Sequence, residues 1–115
     1  NHIHKVAEGD GWTEESTGLH PDSFIETRRN RFTKKVTHHT NGVVNVINLV
    51  EGNEIIVESP SGAFAPMVIH YVETFIVPAA VGAYTIRPYG ESEGKICVTM
   101  KASVRNDNLI DYSIN

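Results

Sequence analysis

Val43–Glu58, VVNVINLVEGNEIIVE, is the stretch on which the reading of the fold turns. Val43–Val50 is dense in β-branched side chains, which suit a pleated, half-buried surface. Glu51-Gly52-Asn53 then supplies turn residues, and Glu54–Glu58 begins a second short run of the same texture. The pattern predicts two consecutive strands joined by a tight turn.

The same texture continues on both sides. Upstream, Phe24–Arg29 and Phe32–Thr37 read as strands with polar interruptions. Downstream, Ser59-Pro60-Ser61-Gly62 breaks the chain, Met67–Val72 and Phe75–Val77 resume it, and Pro78 stops it. Ala83–Arg87 follows, closed by Pro88-Tyr89-Gly90. Ile96–Val104 alternates, with Ile96, Val98, Met100, Ala102 and Val104 on one face and Cys97, Thr99, Lys101 and Ser103 on the other. No window keeps an apolar stripe at helical spacing over three turns. About seven or eight short strands with frequent turns predict an all-β sandwich or barrel of antiparallel strands. The expected core is Val44, Val46, Leu49, Ile56, Phe64, Val68, Phe75, Val77, Tyr84, Ile86, Ile96, Val98 and Met100.

Three segments are expected. Residues 1–23 read as an irregular N-terminal segment punctuated by Gly9, Gly11, Gly18 and Pro21, docked through Trp12 and Leu19, with Thr13 able to cap a helical turn. Residues 24–105 form the barrel. Residues 106–115, rich in Asn and Asp, read as a tail or, through Leu109, Ile110 and Ile114, an edge strand.

With 115 residues the chain is one domain's worth and long enough to bury a core without staples. Ten Lys and Arg against fourteen Asp and Glu give a formal charge of −4. That balance argues against a general nucleic-acid binder and against a polybasic membrane-surface protein. No apolar run is long enough to span a bilayer as a helix. Cys97 is the single cysteine, which excludes an intrachain disulfide and a cysteine-based zinc site and fits a reducing, cytoplasmic setting. A start at Asn1 rather than Met suggests a piece or processed product of a longer chain.

Six histidines stand out. His38 and His39 are adjacent, so on a strand only one of them can look into a barrel. His39, His70 and Glu73 are candidate metal ligands, since imidazole and carboxylate suit Zn, Fe or Mn. Against this, neither HHT nor IHY places two histidines at i and i+2, on one strand face, and a satisfied or solvated histidine is the plainer reading. Arg28, Arg29 and Arg31, with Lys34 and Lys35, make the most basic stretch. Arg forks hold phosphate or carboxylate, although a solvated strand face accounts for the cluster equally well. Arg29, Tyr84 and Arg87 are the candidate ligand-binding residues, Tyr84 and Tyr89 flanking Arg87 as a sugar-stacking surface would. No nucleophile elbow and no glycine-rich phosphate loop is present. No catalytic residue is assigned.

Glu73–Pro88, ETFIVPAAVGAYTIRP, is the most specific stretch: an apolar strand ends in Pro-Ala, a short turn follows, then an alternating strand. Pro78 cannot donate to a ladder, and Gly82 permits the reversal. With FIETRRNRF, HHTNGVVNVINLVEG, IIVESPSG and HYVETFIVPAAVGAYTIRPYG, residues 24–105 resemble the C-terminal, cupin-like domain of class I mannose-6-phosphate isomerases, most closely the long bacterial form. The resemblance implies a cupin-like jelly-roll barrel. That family interconverts mannose 6-phosphate and fructose 6-phosphate with a zinc ion held in an upstream domain by a Gln-x-His pair, a Glu and a further His. This chain contains no Gln, so the resemblance carries over no catalytic residue. It implies an accessory barrel with no cofactor of its own, partnered by the upstream catalytic domain of the same polypeptide or by further copies. The alternatives are a self-sufficient metal cupin enzyme built on His39, His70 and Glu73, and a non-catalytic sugar-binding cupin module.

Overall fold

The computed structural model describes residues 3–17 and 25–104. Ten strands occur in chain order: β1 His4–Gly9, β2 Trp12–Ser16, β3 Ile25–Phe32, β4 Val36–His39, β5 Asn45–Glu51, β6 Glu54–Glu58, β7 Met67–His70, β8 Thr74–Val77, β9 Ala83–Pro88 and β10 Cys97–Val104. They form a six-stranded sheet in the order β1-β2-β3-β10-β5-β8 and a four-stranded sheet in the order β4-β9-β6-β7, with every pairing antiparallel. The chain passes from one sheet to the other after β3, β4, β5, β7, β8 and β9, which wraps the two sheets into a jelly roll. Helix among the described residues is confined to two 3-10 turns, Ala79–Val81 and Gly90–Ser92. No described helix is long and apolar enough to cross a membrane.

The decisive stretch folds as read, β5 turning at Gly52, φ 110°, into β6. Β-strand β8 ends at Pro78, and Gly82, φ 79°, makes the reversal into β9. Thr40 locks that reversal. Its hydroxyl donates to the Ala79 carbonyl at 2.7 Å and accepts from the Gly82 amide at 3.0 Å.

The N-terminal expectation is corrected. Residues 4–9 and 12–16 are a β-hairpin, and β2 pairs with β3 from Trp12↔Phe32 to Ser16↔Arg28. Thr13 lies inside a strand and caps no helix. The polar run Thr-Glu-Glu-Ser reads as loop, but it alternates: Trp12, Glu14 and Ser16 share the inner face with Phe32, Asn30 and Arg28. The two strands expected over 24–29 and 32–37 divide differently, β3 continuing to Phe32 because β10 pairs with it along its length. Leu19 and residues 106–115 lie outside the described residues.

Between the sheets, Phe32, Ile47, Leu49, Phe75, Val77 and Cys97 from one side meet Val36, Ile55, Val57, Ile69, Tyr84 and Ile86 from the other. Each large apolar side chain so enclosed contributes about 1.5–3 kcal/mol. Of the expected core, Leu49, Ile56, Phe75, Val77, Tyr84, Ile86 and Val98 are buried, and Phe64 packs against the core from its edge. Val44, Val46, Val68 and Ile96 are exposed instead. In β5 the inward residues are Asn45, Ile47 and Leu49, because Val43–Val50 carries apolar side chains on both faces and the period cannot choose between them. The faces of β10 are also exchanged: Cys97, Thr99 and Lys101 look inward, and Met100 is only partly buried. A bulge between Val98 and Thr99 leaves Val98 buried as well.

Candidate functional site

The inner face of the six-stranded sheet is not uniformly apolar. Its rows, read across β2, β3 and β10, change character along the barrel. Trp12, Phe32 and Cys97 form an apolar row. Glu14, Asn30 and Thr99 form the next, and Ser16, Arg28 and Lys101 the one after. Alternation places these residues on one face because directly paired antiparallel residues project to the same side. From the opposite sheet, Val36, inward on β4, sets the parity that turns His38 in and His39 out. Tyr84 on β9 is paired with His38, and the two rings stack with centroids 5.4 Å apart.

Lys101 ties the sheets together. Its Nζ lies 3.1 Å from Nδ1 of His38 and 3.4 Å from Oε2 of Glu14, with both the Lys101 and Glu14 side chains nearly enclosed. An ammonium can only donate, so Nδ1 accepts and the imidazole carries its proton on Nε2. Burial, aided by the Lys101 charge, pushes the His38 pKa down to about 3, so the ring stays neutral. Burial also lowers the pKa of Lys101, while the Glu14 carboxylate opposes that shift. Arg28 donates to Glu26 at 2.8 Å and stands 3.8 Å from Glu14. The Tyr84 hydroxyl donates to Oδ1 of Asn45 at 2.6 Å, and its ionisation is pushed up, first by burial and then by the Glu14 charge.

Several enclosed polar atoms have no protein partner: both amide atoms of Asn30, Oγ1 of Thr99, Nε2 of His38 and Oε2 of Glu14. Asn30 and Thr99 are 0% exposed. Unpaired polar atoms in a protein interior are costly, about 1–3 kcal/mol each, and native structures hold few of them. Here they cluster around one ion pair.

Of the residues singled out from sequence, Tyr84 belongs to this interior. Arg29 is paired with Glu15 at 2.7 Å on the outer face, and Arg87 pairs with Glu58 at 3.1 Å while lying over the Tyr89 ring at 5.9 Å. The structure does not bring Arg29 and Arg87 to Tyr84. His70 and Glu73 do meet, in exposed positions: the two His70 ring nitrogens lie 3.3 Å from Glu73 and 3.3 Å from Glu54. His39 is elsewhere and exposed, its Nδ1 accepting from the Asn41 amide at 2.9 Å. Among the described residues no three His, Cys, Asp or Glu side chains come together to hold a metal ion, so the set His39, His70 and Glu73 does not fit one. Glu14, Asn30, Thr99 and Lys101 were not anticipated. The parity of β2 with Trp12 and of β10 with Cys97 is the signal that finds them, once those two residues are known to face inward.

A jelly roll of two antiparallel sheets with a polar interior at one end defines the cupin fold, and comparison with known structures agrees. No protein-family model and no curated protein matches the sequence. Solved structures do match. The cupin domain of Schizosaccharomyces pombe Cnp3 superposes with a TM-score of 0.67 at 11% identity, over 96% of this chain and 74% of that one. A cupin-2 domain protein from Rhodospirillum rubrum gives 0.67 at 7% identity, over 99% and 82%. Mannose 6-phosphate isomerase from Bacillus subtilis gives 0.65 at 12% identity, over 89% of this chain and 29% of that enzyme. The chain therefore has the cupin fold. At such identities the likeness extends to the fold alone.

Proposed function

We propose that the chain is an accessory cupin domain of a zinc-dependent mannose-6-phosphate isomerase, with isomerisation carried out in an upstream domain of the same polypeptide. The sequence resemblance over residues 24–105 supports this reading, as does the partial superposition on the Bacillus subtilis enzyme. The observation that carries it is the lodging of the Lys101 ammonium between His38 and Glu14. The imidazole and carboxylate that could contribute to a metal site inside this barrel are engaged with a fixed cation instead. Zinc would belong to the upstream domain, and its ligand set with it. The outer face of β5 and β8, where Val46 and Ile76 are paired and exposed, is the surface that such a domain, or another copy, would cover. A cytoplasmic setting goes with this reading.

The experiment is an isomerase assay with mannose 6-phosphate and zinc on the purified chain, beside metal analysis of the same sample. The expected outcome is neither turnover nor stoichiometric metal. Robust turnover, or one equivalent of Zn, Fe or Mn lost on His70→Ala, would replace this reading with a self-sufficient metal cupin.

A further inference from the structure

We infer that the barrel interior between β2, β3, β10 and β4 is a binding site for a small neutral hydroxylated molecule of the monosaccharide class, held by Asn30, Thr99, His38 and Glu14. The inference goes beyond the accessory role and does not depend on it.

The free valences define the ligand. His38 Nε2–H and the Asn30 amide nitrogen are donors without acceptors, and Asn30 Oδ1 and Glu14 Oε2 are acceptors without donors. The Thr99 hydroxyl can be either. Donors and acceptors are therefore interleaved across one row of the sheet, Glu14–Asn30–Thr99, with His38 facing from the opposite sheet. A hydroxyl both donates and accepts, so vicinal hydroxyls can satisfy such an alternation, whereas a carboxylate or phosphate can only accept from it.

Charge points the same way. The nearby charged groups are Glu14, Glu26, Arg28 and Lys101, two of each sign and already paired: Lys101 with Glu14, and Arg28 with Glu26. No surplus positive charge is left for an anion and no surplus negative charge for a cation. The polar row lies beside apolar walls, Ile47 and Leu49 on β5 and the stacked rings of His38 and Tyr84, which suit the C–H faces of a sugar. Exposure rises from Asn30 and Thr99, which are fully enclosed, to Arg28 and Ser103 two or four residues along the strands, so entry is from that end. Polar atoms left unpaired in an interior at a stability cost are expected where a ligand completes them.

The test is calorimetric titration and thermal unfolding of the whole chain with D-mannose and D-fructose as neutral probes, and with mannose 6-phosphate and citrate as anionic ones. The neutral sugars are expected to bind and raise the unfolding temperature. Thr99→Val and Asn30→Leu should each weaken binding by at least about tenfold, the loss of one enclosed hydrogen bond. Thr99→Ser, which keeps the hydroxyl, should retain binding. Far-UV circular dichroism checks that each variant is folded. Silence with both neutral sugars, binding of the anions alone, or equal affinity in Thr99→Val and the parent would overturn the inference. Turnover in the isomerase assay would leave it standing, since that result bears only on the accessory role.

Discussion

His38 shows how one side chain's placement becomes a property of the whole protein. Its ring is neutral in the fold, with a pKa near 3, because burial and the Lys101 ammonium both disfavour a second proton. In the unfolded chain it titrates near the ordinary value of about 6.5. Between those two values the unfolded state binds the extra proton and the folded state does not, so stability falls as pH falls through that window. The slope is on the order of 1 kcal/mol per pH unit. Urea titrations at pH 7, 6, 5 and 4 should show it, and His38→Gln should flatten it. An unchanged slope in that variant would mean that other groups govern acid sensitivity. Val72 offers a second test at this scale. It has φ 64°, a conformation that β-branched residues avoid. The turn holds it there by two bonds: its amide donates to the Leu49 carbonyl at 2.9 Å, and its carbonyl accepts from the Asn48 amide group at 3.0 Å. Its side chain is 64% exposed, so little burial is at stake. Val72→Asn should therefore stabilise the protein by about 1 kcal/mol, read from the urea midpoint at constant m-value.

At the scale of elements, β2 and β10 are linked through the Glu14–Lys101 pair across β3. Removing one member of an enclosed ion pair strands the other. Lys101→Met should cost about 3 kcal/mol, whereas Lys101→Met with Glu14→Leu should recover most of that loss, because replacing both charges avoids the stranded one. A double-mutant cycle in urea measures the coupling, and additive losses would show the pair to be energetically idle. These strands are also where sequence reading fell short. The β5–β6 hairpin was legible because a β-branched run, a Gly turn and a second run leave few other folds. The faces of β10 were not, since alternation separates Cys97-Thr99-Lys101 from Val98-Met100-Ala102 without saying which set faces in. Hydrophobicity favours the second set, and a polar interior reversed the choice. The same reversal hid β2, whose Glu14 and Ser16 look solvent-facing in sequence. The candidate site was thus largely illegible for the reason that makes it a site: polar residues occupy inward positions.

Across the whole molecule, the N-terminal hairpin determines whether the jelly roll closes properly around its interior. Β-strand β2 covers the free side of β3, places Trp12 against the core and supplies the carboxylate for Lys101. Gly9 matters to this arrangement because a Cβ there would lie 2.4 Å from the Trp12 indole nitrogen. A chain beginning after Thr17 would leave β3 as an open edge, uncover the flank of Phe32 and bury the Lys101 ammonium without its anion. An unpaired edge invites association with other chains, and the stranded charge and lost packing together cost several of the about 5–15 kcal/mol that hold a domain folded. The truncated chain is therefore expected to unfold at a distinctly lower urea concentration and to elute from size exclusion as associated species. Gly9→Ala in the full chain should move the midpoint in the same direction by a smaller amount, since the indole must shift rather than vanish. A truncated chain that remained monomeric with an unchanged midpoint would make the hairpin an appendage, and Glu14 could then be no part of the interior site.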